Sequence, residues 1–490
     1  MEAFKEYKEW KVVLLLIIIA FFSQLIFAIS VSPLSAYEGG DSCIFRQMAL
    51  ALLQGKTLYI DIFDHKGPVL YFINALGLLI SSNKWGIFIL MVLNCFVTLY
   101  LWYLIASHYI EGWKRILPVL LTLVIYISAM EEGNLTEDWS LIPLSYTLYL
   151  VSRYLTKNKQ VSVWEFFLVG VGAGLITFMR MNNMALTCCV VVFFIVDYIR
   201  QKSYVRLFRS LCGLMGGGLM VALFCVGAFY YIGGGEAVSQ MMYGTFWFNM
   251  FEYSNWGSYY EFLVSNSYNH WFFFVTVIVC YYAYLYDKSH LTYFVFFVLS
   301  FLFCYLTMGR NGFLHYMITV VPLFAMCCAY TFRSRTNSYI LLILMFLLAN
   351  ESYYRRQLPY TIGETNRAWE AFYRQTDSIV QNMSDIEKKS IWNYNASFDG
   401  SRILQRYHLT QCNRIILHHH MNFPNLRNGE SNKLHYDMPL WILVNPQNPY
   451  YEMRDSIYIS NNYKLVKNTS MAVKTKNTDI NFHVLFYKRK

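Results

Sequence analysis

Charge is scarce in this chain. Asp, Glu, Lys and Arg together supply 14% of its 490 residues, against 56% hydrophobic and 19% aromatic, and the mean hydropathy is +0.32. That is too apolar for a soluble protein of this size, so the chain reads as an integral membrane protein. The 11 cysteines form no CxxC pair and no disulfide framework. Most lie in apolar runs and are read as small packing residues. His418, His419 and His420 are consecutive, and neighbours on a strand point to opposite faces, so they make a poor metal cage. No basic stripe marks a soluble domain; the net charge of +10 is mostly topological and gives no case for a nucleic-acid partner. No small-residue cleavage site follows the first apolar run, which is therefore expected to stay as a helix.

What the chain does have is apolar runs of spanning length, at about 11–30, 86–107, 116–131, 139–155, 163–179, 184–200, 208–232, 271–287, 290–308, 315–332 and 338–353. These predict eleven transmembrane helices. Basic residues fall on alternate connections: Lys5, Lys8 and Lys11; Lys114 and Arg115; Arg153, Lys157 and Lys159; Arg200, Lys202, Arg206 and Arg209; Lys288; Arg333 and Arg335. That side is expected to be cytoplasmic. A span at 68–82 would break the asymmetry, so PVLYFINALGLLISS is read as a re-entrant or interfacial helix.

Residues 1–353 thus form a transmembrane domain. From 354 to 490 apolar runs shorten between charged and Asn-rich stretches, which predicts a small extracytoplasmic α/β or α+β domain. KSIWNYN, NRIILHHH, LWILVNP, YKLVKN and FHVLFYKRK read as strands, and Trp369 to Met383 as a helix. This domain has no Gly-rich phosphate loop and no nucleophile elbow, so it is given a recognition or scaffold role.

The outer connections concentrate ionisable residues, which are costly beside an apolar slab unless they serve a purpose. The segment Gly39–Pro68 carries Asp41, Asp61, Asp64, His65 and Lys66. Further outward-facing groups are Glu131, Glu132, Glu137 and Asp138; Arg180 with Asn182 and Asn183; and Arg310 with His315 and Tyr316. The carboxylates are candidates for a general base and the cations for holding a phosphate. Together they suit displacement of a phosphate leaving group by a hydroxyl, on an amphiphilic substrate. Each has a plainer reading. Asp41 would cap the helix SCIFRQMALALLQG, Lys66 would snorkel, Glu137 and Asp138 would complement a helix dipole, Arg180 and Arg310 would anchor at the boundary, and His315 and Tyr316 would pack.

The motifs GGDS, with Asp41, and FDHKGPVLYFINALG, with Lys66, resemble the polytopic GT-C glycosyltransferases. The likeness is to the bacterial branch related to protein O-mannosyltransferases and the aminoarabinose transferase that modifies lipid A, and it covers roughly residues 1–350. It implies a GT-C-like helical fold and transfer of a sugar from a polyprenyl-phosphate donor to a glycan, lipid or protein hydroxyl at the outer face of the bacterial cytoplasmic membrane, with inversion. It further implies that Asp41 is the general base and that Lys66 contacts the lipid phosphate. Glu137 or Asp138 would be a second acidic site, with Arg180 or Arg310 assisting the phosphate. Gly-Asp-Ser stands where many relatives have paired acids. His65 stands for an acidic residue of some members, leaving Asp64 as the nearest counter-ion for the lysine. No metal or cofactor is indicated, although a divalent cation is compatible. The rival readings are a flippase for lipid-linked sugars and an outer-face polysaccharide polymerase or ligase. Transporters usually place ionisable groups at the midplane and show related halves; no internal repeat is evident. A polymerase would use a large late loop, for which 233–270 is long enough, or that loop would cover the acceptor cleft with sugar-stacking aromatics.

Overall fold

A computed structural model describes residues 2–253, 291–307, 313–332, 354–416, 438–447, 453–474 and 479–490. The first half is almost entirely helical: α1 (Glu2–Phe27), α2 (Asp41–Leu53), α3 (Pro68–Ile80), α4 (Lys84–Ser107), α5 (Ile116–Ala129), α6 (Thr136–Lys157), α7 (Val163–Thr177), α8 (Ala185–Arg200) and α9 (Tyr204–Met242). A helix at Leu291–Thr307 and a 3₁₀ turn at Leu314–Val320 leading into Val321–Phe332 follow. Six described helical stretches are long and apolar enough to cross a bilayer. The protein is therefore a multi-pass membrane protein with a mostly helical fold and a small sheet near its C-terminus. Each expected span up to 208–232, and those at 290–308 and 315–332, coincides with a helix; the spans expected at 271–287 and 338–353 lie outside the described residues. At 13 residues, α3 is about 20 Å long, short of the roughly 30 Å hydrocarbon core.

The chain folds as two compact units. One is built from Met1–Ala28, Ile89–Gly227 and Trp256–Tyr354, the other from Ile29–Phe88, Ala228–Asn255 and Arg355–Lys490. In the first, α7 and α9 meet backbone to backbone. An added Cβ at Gly170 would lie 2.0 Å from the Leu214 oxygen, and one at Gly217 would lie 2.0 Å from the Phe167 oxygen. Gly170 and Gly174 on α7 and Gly213 and Gly217 on α9 are each spaced by four, the small-xxx-small pattern that lets membrane helices approach closely where no hydrophobic effect drives them together.

In the second unit, α2 and α3 pack through Ala49, Ala75 and Leu78. The C-terminal residues form a four-stranded sheet of β1 (Ile391–Asn393), β2 (Trp441–Val444), β3 (Tyr463–Lys474) and β4 (Asp479–Arg489), in the order β1-β2-β4-β3. β1 pairs parallel with β2, and the other pairings are antiparallel. Alternate residues build two cores. Ile391, Leu443, Val484 and Phe486 pack with Trp369 and Phe372 of the helix Glu364–Gln381, while Trp392, Ile442, Val444 and Leu485 face Ile459 and Tyr463. This period-two pattern covers both faces of the sheet.

Two expectations are corrected. An open connection is expected from 233 to 270, but after Gly233 and Gly234, which break α9 with φ of −150° and 67°, the chain is helical to Met242 and continues as a π-helix, Tyr243–Glu252; residues 254–270 lie outside the described residues. The two glycines mark a kink within the helix. The strand expected at NRIILHHH does not join the sheet; Ile415 makes only an isolated bridge to Phe63, and His418, His419 and His420 lie outside the described residues.

Replacing Gly170 with Val should lower stability by about 1–3 kcal/mol, the usual cost of overpacking. Gly227→Val, where a Cβ meets nothing within 4 Å, should change it little. Thermal unfolding of the two variants in the same detergent makes the comparison.

Candidate active site

Asp41 is the first residue of α2, and its neighbour Gly40 occupies the cap position. The capping role does not occur, since no side-chain cap hydrogen bond forms. Asp41 is half-buried, and among the described residues its carboxylate has no hydrogen-bond partner.

The backbone ahead of it is held from two sides. The Glu38 carboxylate receives Arg46 Nη1 at 2.9 Å, and Arg46 also donates to the Glu38 carbonyl. Gly39 has φ of 88°, a left-handed conformation that suits glycine. Its carbonyl accepts from Arg402 Nε at 2.6 Å. Arg402 is itself locked by Asp399 at 2.8 Å and by the rings of Tyr37 and Trp369 at 4.9 and 5.0 Å. Gln47 on α2 donates to the Ser401 carbonyl at 2.9 Å, tying α2 to the helix Ser397–Arg406. Three cations lie around Glu38: Arg46, Lys84 and Arg406. Burial alone would raise the Glu38 carboxyl, but they hold it below its ordinary pKa.

Lys66 ends a short relay. Its Nζ lies 2.8 Å from His65 Nε2, and His65 Nδ1 lies 3.4 Å from Asp64 Oδ1. An ammonium can only donate, so Nε2 accepts and the ring proton sits on Nδ1, facing Asp64. Asp64 also accepts from Tyr71 at 2.8 Å. Burial would raise this carboxyl; Lys66, His65 and Tyr71 outweigh that and hold it well below the usual range.

The backbone beneath the relay is fixed as firmly. Tyr59 donates to the Lys66 carbonyl at 2.7 Å, and Asn249 donates to the His65 carbonyl at 2.7 Å. Asn249 reaches it from the π-helix, where it also approaches the Gly244 and Thr245 carbonyls at 3.0 and 2.9 Å. Tyr253 stacks on His65 with ring centroids 4.2 Å apart. Tyr59 itself holds φ of 68°, rare for an aromatic residue and retained only where its surroundings over-determine it. Lys66 Nζ stands 5.9 Å from the Phe45 ring. Phe45 and Asp41 are four residues apart on α2 and so share a face. Asp61 stays local, accepting from the Thr57 amide at 2.7 Å.

The other unit holds a second cluster. Glu137 Oε1 meets Arg180 Nη1 at 2.7 Å, and the Arg180 guanidinium lies 4.2 Å from the Tyr316 ring. His315 Nδ1 is 2.7 Å from Glu131 Oε2, and the Leu314 amide donates to Glu131 Oε1 at 3.1 Å. Glu137, Arg180, His315 and Tyr316 are thus gathered, and Glu131 joins them. Asp138 turns away into the helix bundle. It is fully buried, with one oxygen receiving Tyr126 at 2.9 Å and the other the Leu135 amide at 2.9 Å, so it caps α6. Arg310 lies outside the described residues. Among the described residues no three His, Cys, Asp or Glu side chains gather where a metal could bind. Sequence reasoning missed Tyr71, Asn249, Tyr253 and Arg402, whose roles depend on contacts far along the chain.

Residues 65–229 match the family model described as dolichyl-phosphate-mannose-protein mannosyltransferase. No curated protein matches the chain. Among solved structures, it is similar to a crystal structure of the Archaeoglobus fulgidus oligosaccharyltransferase in complex with Zn and sulfate, with 12% identity and a TM-score of 0.47, covering 95% of this chain and 73% of that one. It is also similar to the archaeal oligosaccharyltransferase AglB from Archaeoglobus fulgidus in complex with an inhibitory peptide and a dolichol-phosphate, with 10% identity and a TM-score of 0.44, covering 97% and 74%.

Two outcomes are expected. Arg180→Ala leaves Glu137 buried and unpaired and should cost about 3–5 kcal/mol, whereas the double change Glu137→Gln with Arg180→Gln should recover most of that in thermal unfolding. The stabilising contribution of Asp64, with its depressed folded pKa, is fully present above the ordinary carboxylate value of about 3.9 and lost as pH falls through the folded value. The stability gap between wild type and Asp64→Asn should therefore be equal at pH 7 and pH 5 and narrow only in stronger acid.

Proposed function

We propose that the protein is a membrane glycosyltransferase that moves a sugar from a polyprenyl-phosphate carrier to an acceptor hydroxyl at the outer face of the membrane. The observation that carries this reading is the pairing of Asp41, whose carboxylate is unengaged among the described residues, with the ammonium of Lys66 over the same face of α2, above Phe45. A base and a phosphate-binding cation beside an apolar slab match the demands of that reaction. The family match over residues 65–229, described as dolichyl-phosphate-mannose-protein mannosyltransferase, supports it and includes His65 and Lys66.

In the proposed step Asp41 takes the proton of the acceptor hydroxyl. The hydroxyl oxygen bonds to the anomeric carbon as the bond from that carbon to the phosphate oxygen breaks, and polyprenyl phosphate leaves with the electron pair. Attack from the face opposite the phosphate inverts the anomeric centre. The leaving group is already a stable anion and needs charge stabilisation instead of a proton. Lys66 supplies it, while His65 and Asp64 orient the ammonium. Arg180 is committed to Glu137 and Tyr316, which makes Lys66 the cation we assign to the phosphate.

Asp41→Asn should reduce release of free polyprenyl phosphate by at least about a hundredfold, the low end for loss of a general base, with donor binding unchanged. Lys66→Ala should weaken donor binding. Purified protein incubated with a panel of polyprenyl-phosphate sugars gives both readouts; full turnover by Asp41→Asn would overturn the assignment, and transport of a donor in vesicles without release would favour a flippase.

A further inference from the structure

The second unit contains a cleft of about 200 Å³, distinct from the Asp64–His65–Lys66 relay and lined by Glu38, Arg46, Lys84, Trp85, Gln405 and Arg406 among others. Its cations outnumber its carboxylate. Glu38 is approached by Arg46 at 2.9 Å, Lys84 at 3.7 Å and Arg406 at 3.9 Å. Two guanidinium groups and an ammonium face a single carboxylate, so positive charge is in excess.

The donors divide into used and unused. Lys84 is spent on the Ser35 and Tyr37 carbonyls, at 2.8 and 2.6 Å. Arg46 gives two nitrogens to Glu38, yet its Nε, on a side chain 3% exposed, has no hydrogen-bond partner among the described residues. Arg406 touches Glu38 only at the end of its reach, and its side chain is half-exposed. A buried donor left without a partner is unfavourable, and an anion in the cleft would supply the partner. Gln405 adds a complementary signal. Its Oε1 is buried and has no partner among the described residues, and as an acceptor it calls for a hydroxyl. Apolar side chains adjoin the cleft on the chain: Leu79 and Ile80 at the end of α3 and Trp85 at the start of α4 are all exposed.

We infer that this cleft binds a phosphate ester carrying a neighbouring hydroxyl, as in a glycerophosphate headgroup. The phosphate sits on Arg46 Nε and Arg406, the hydroxyl donates to Gln405, and the apolar rim takes the acyl chains. The site is distinct from Lys66.

The test titrates full-length protein in phosphatidylcholine micelles with phosphatidylglycerol, and separately with soluble glycerol 1-phosphate, following binding by calorimetry. Phosphatidylglycerol should bind, with its Kd raised about tenfold by Arg406→Gln, the equivalent of one charge-assisted hydrogen bond, and unchanged by Lys66→Ala or Asp41→Asn. Gln405→Leu should erase a preference for phosphatidylglycerol over phosphatidic acid. Binding of glycerol 1-phosphate with the same dependence on Arg406 supports the site and assigns it a soluble ligand. Binding of neither, or binding indifferent to Arg406→Gln, overturns the inference; a loss confined to Lys66→Ala overturns it too, by placing the phosphate at the relay.

Discussion

A carboxylate withdrawn from water keeps its charge only if cations are withdrawn with it, and the loop ahead of α2 depends on that constraint at Glu38. Arg46, one turn into α2, fixes the Glu38 side chain and backbone together, so the turn that delivers Asp41 cannot drift without breaking a buried pair. Loss of one partner in such a pair costs about 3–5 kcal/mol, a large fraction of a typical domain's stability. Arg402 holds the next carbonyl. Gly39, which bears the second anchor, and Gly40 after it have the backbone freedom to complete the turn. Asp41 follows at once, positioned by its neighbours while its own carboxylate remains uncommitted.

The relay at Lys66 reaches similar rigidity by other means. Its side chains form a line in which each proton has one sensible place, and its backbone is held through carbonyls by Tyr59 and Asn249. The π-helix is what lets Asn249 act there, because its wider turn changes which carbonyls the amide can reach. In the proposed reaction such rigidity would suit Lys66, since a pre-oriented ammonium needs no rearrangement as charge develops.

Much of this was legible in the residues and some was not. The helices announced themselves because each is apolar over a full span, and the strands of the C-terminal sheet because both faces alternate. Asp41 and Lys66 stood out because charge beside a bilayer is expensive. Asp138 looked identical to Glu137 in sequence, yet one step along a helix turns a side chain by about 100°, enough to send Glu137 to Arg180 and Asp138 into the bundle as a cap. The apolar run ends at 232, just ahead of the kink at Gly233 and Gly234, so hydropathy gives no sign that the helix continues beyond it. Composition draws a single boundary near residue 353, while the compact unit gathers residues 29–88 and 228–255 with the C-terminal stretch; such long-range grouping leaves no local trace.

The contact from Arg402 to Gly39 joins positions 363 residues apart. A chain is made from its N-terminus, and contacts of that separation close last. The loop bearing Asp41 is therefore made well before the residue that clamps it, and is set only when the two meet. Every helix up to the C-terminal stretch can be threaded into the bilayer while Gly39 still lacks its clamp. Only when the helix Ser397–Arg406 has emerged and folded does the loop acquire its final geometry, so a truncated or half-made chain occupies the membrane without a finished site. The loop is thus completed by a residue that lies far along the sequence from it.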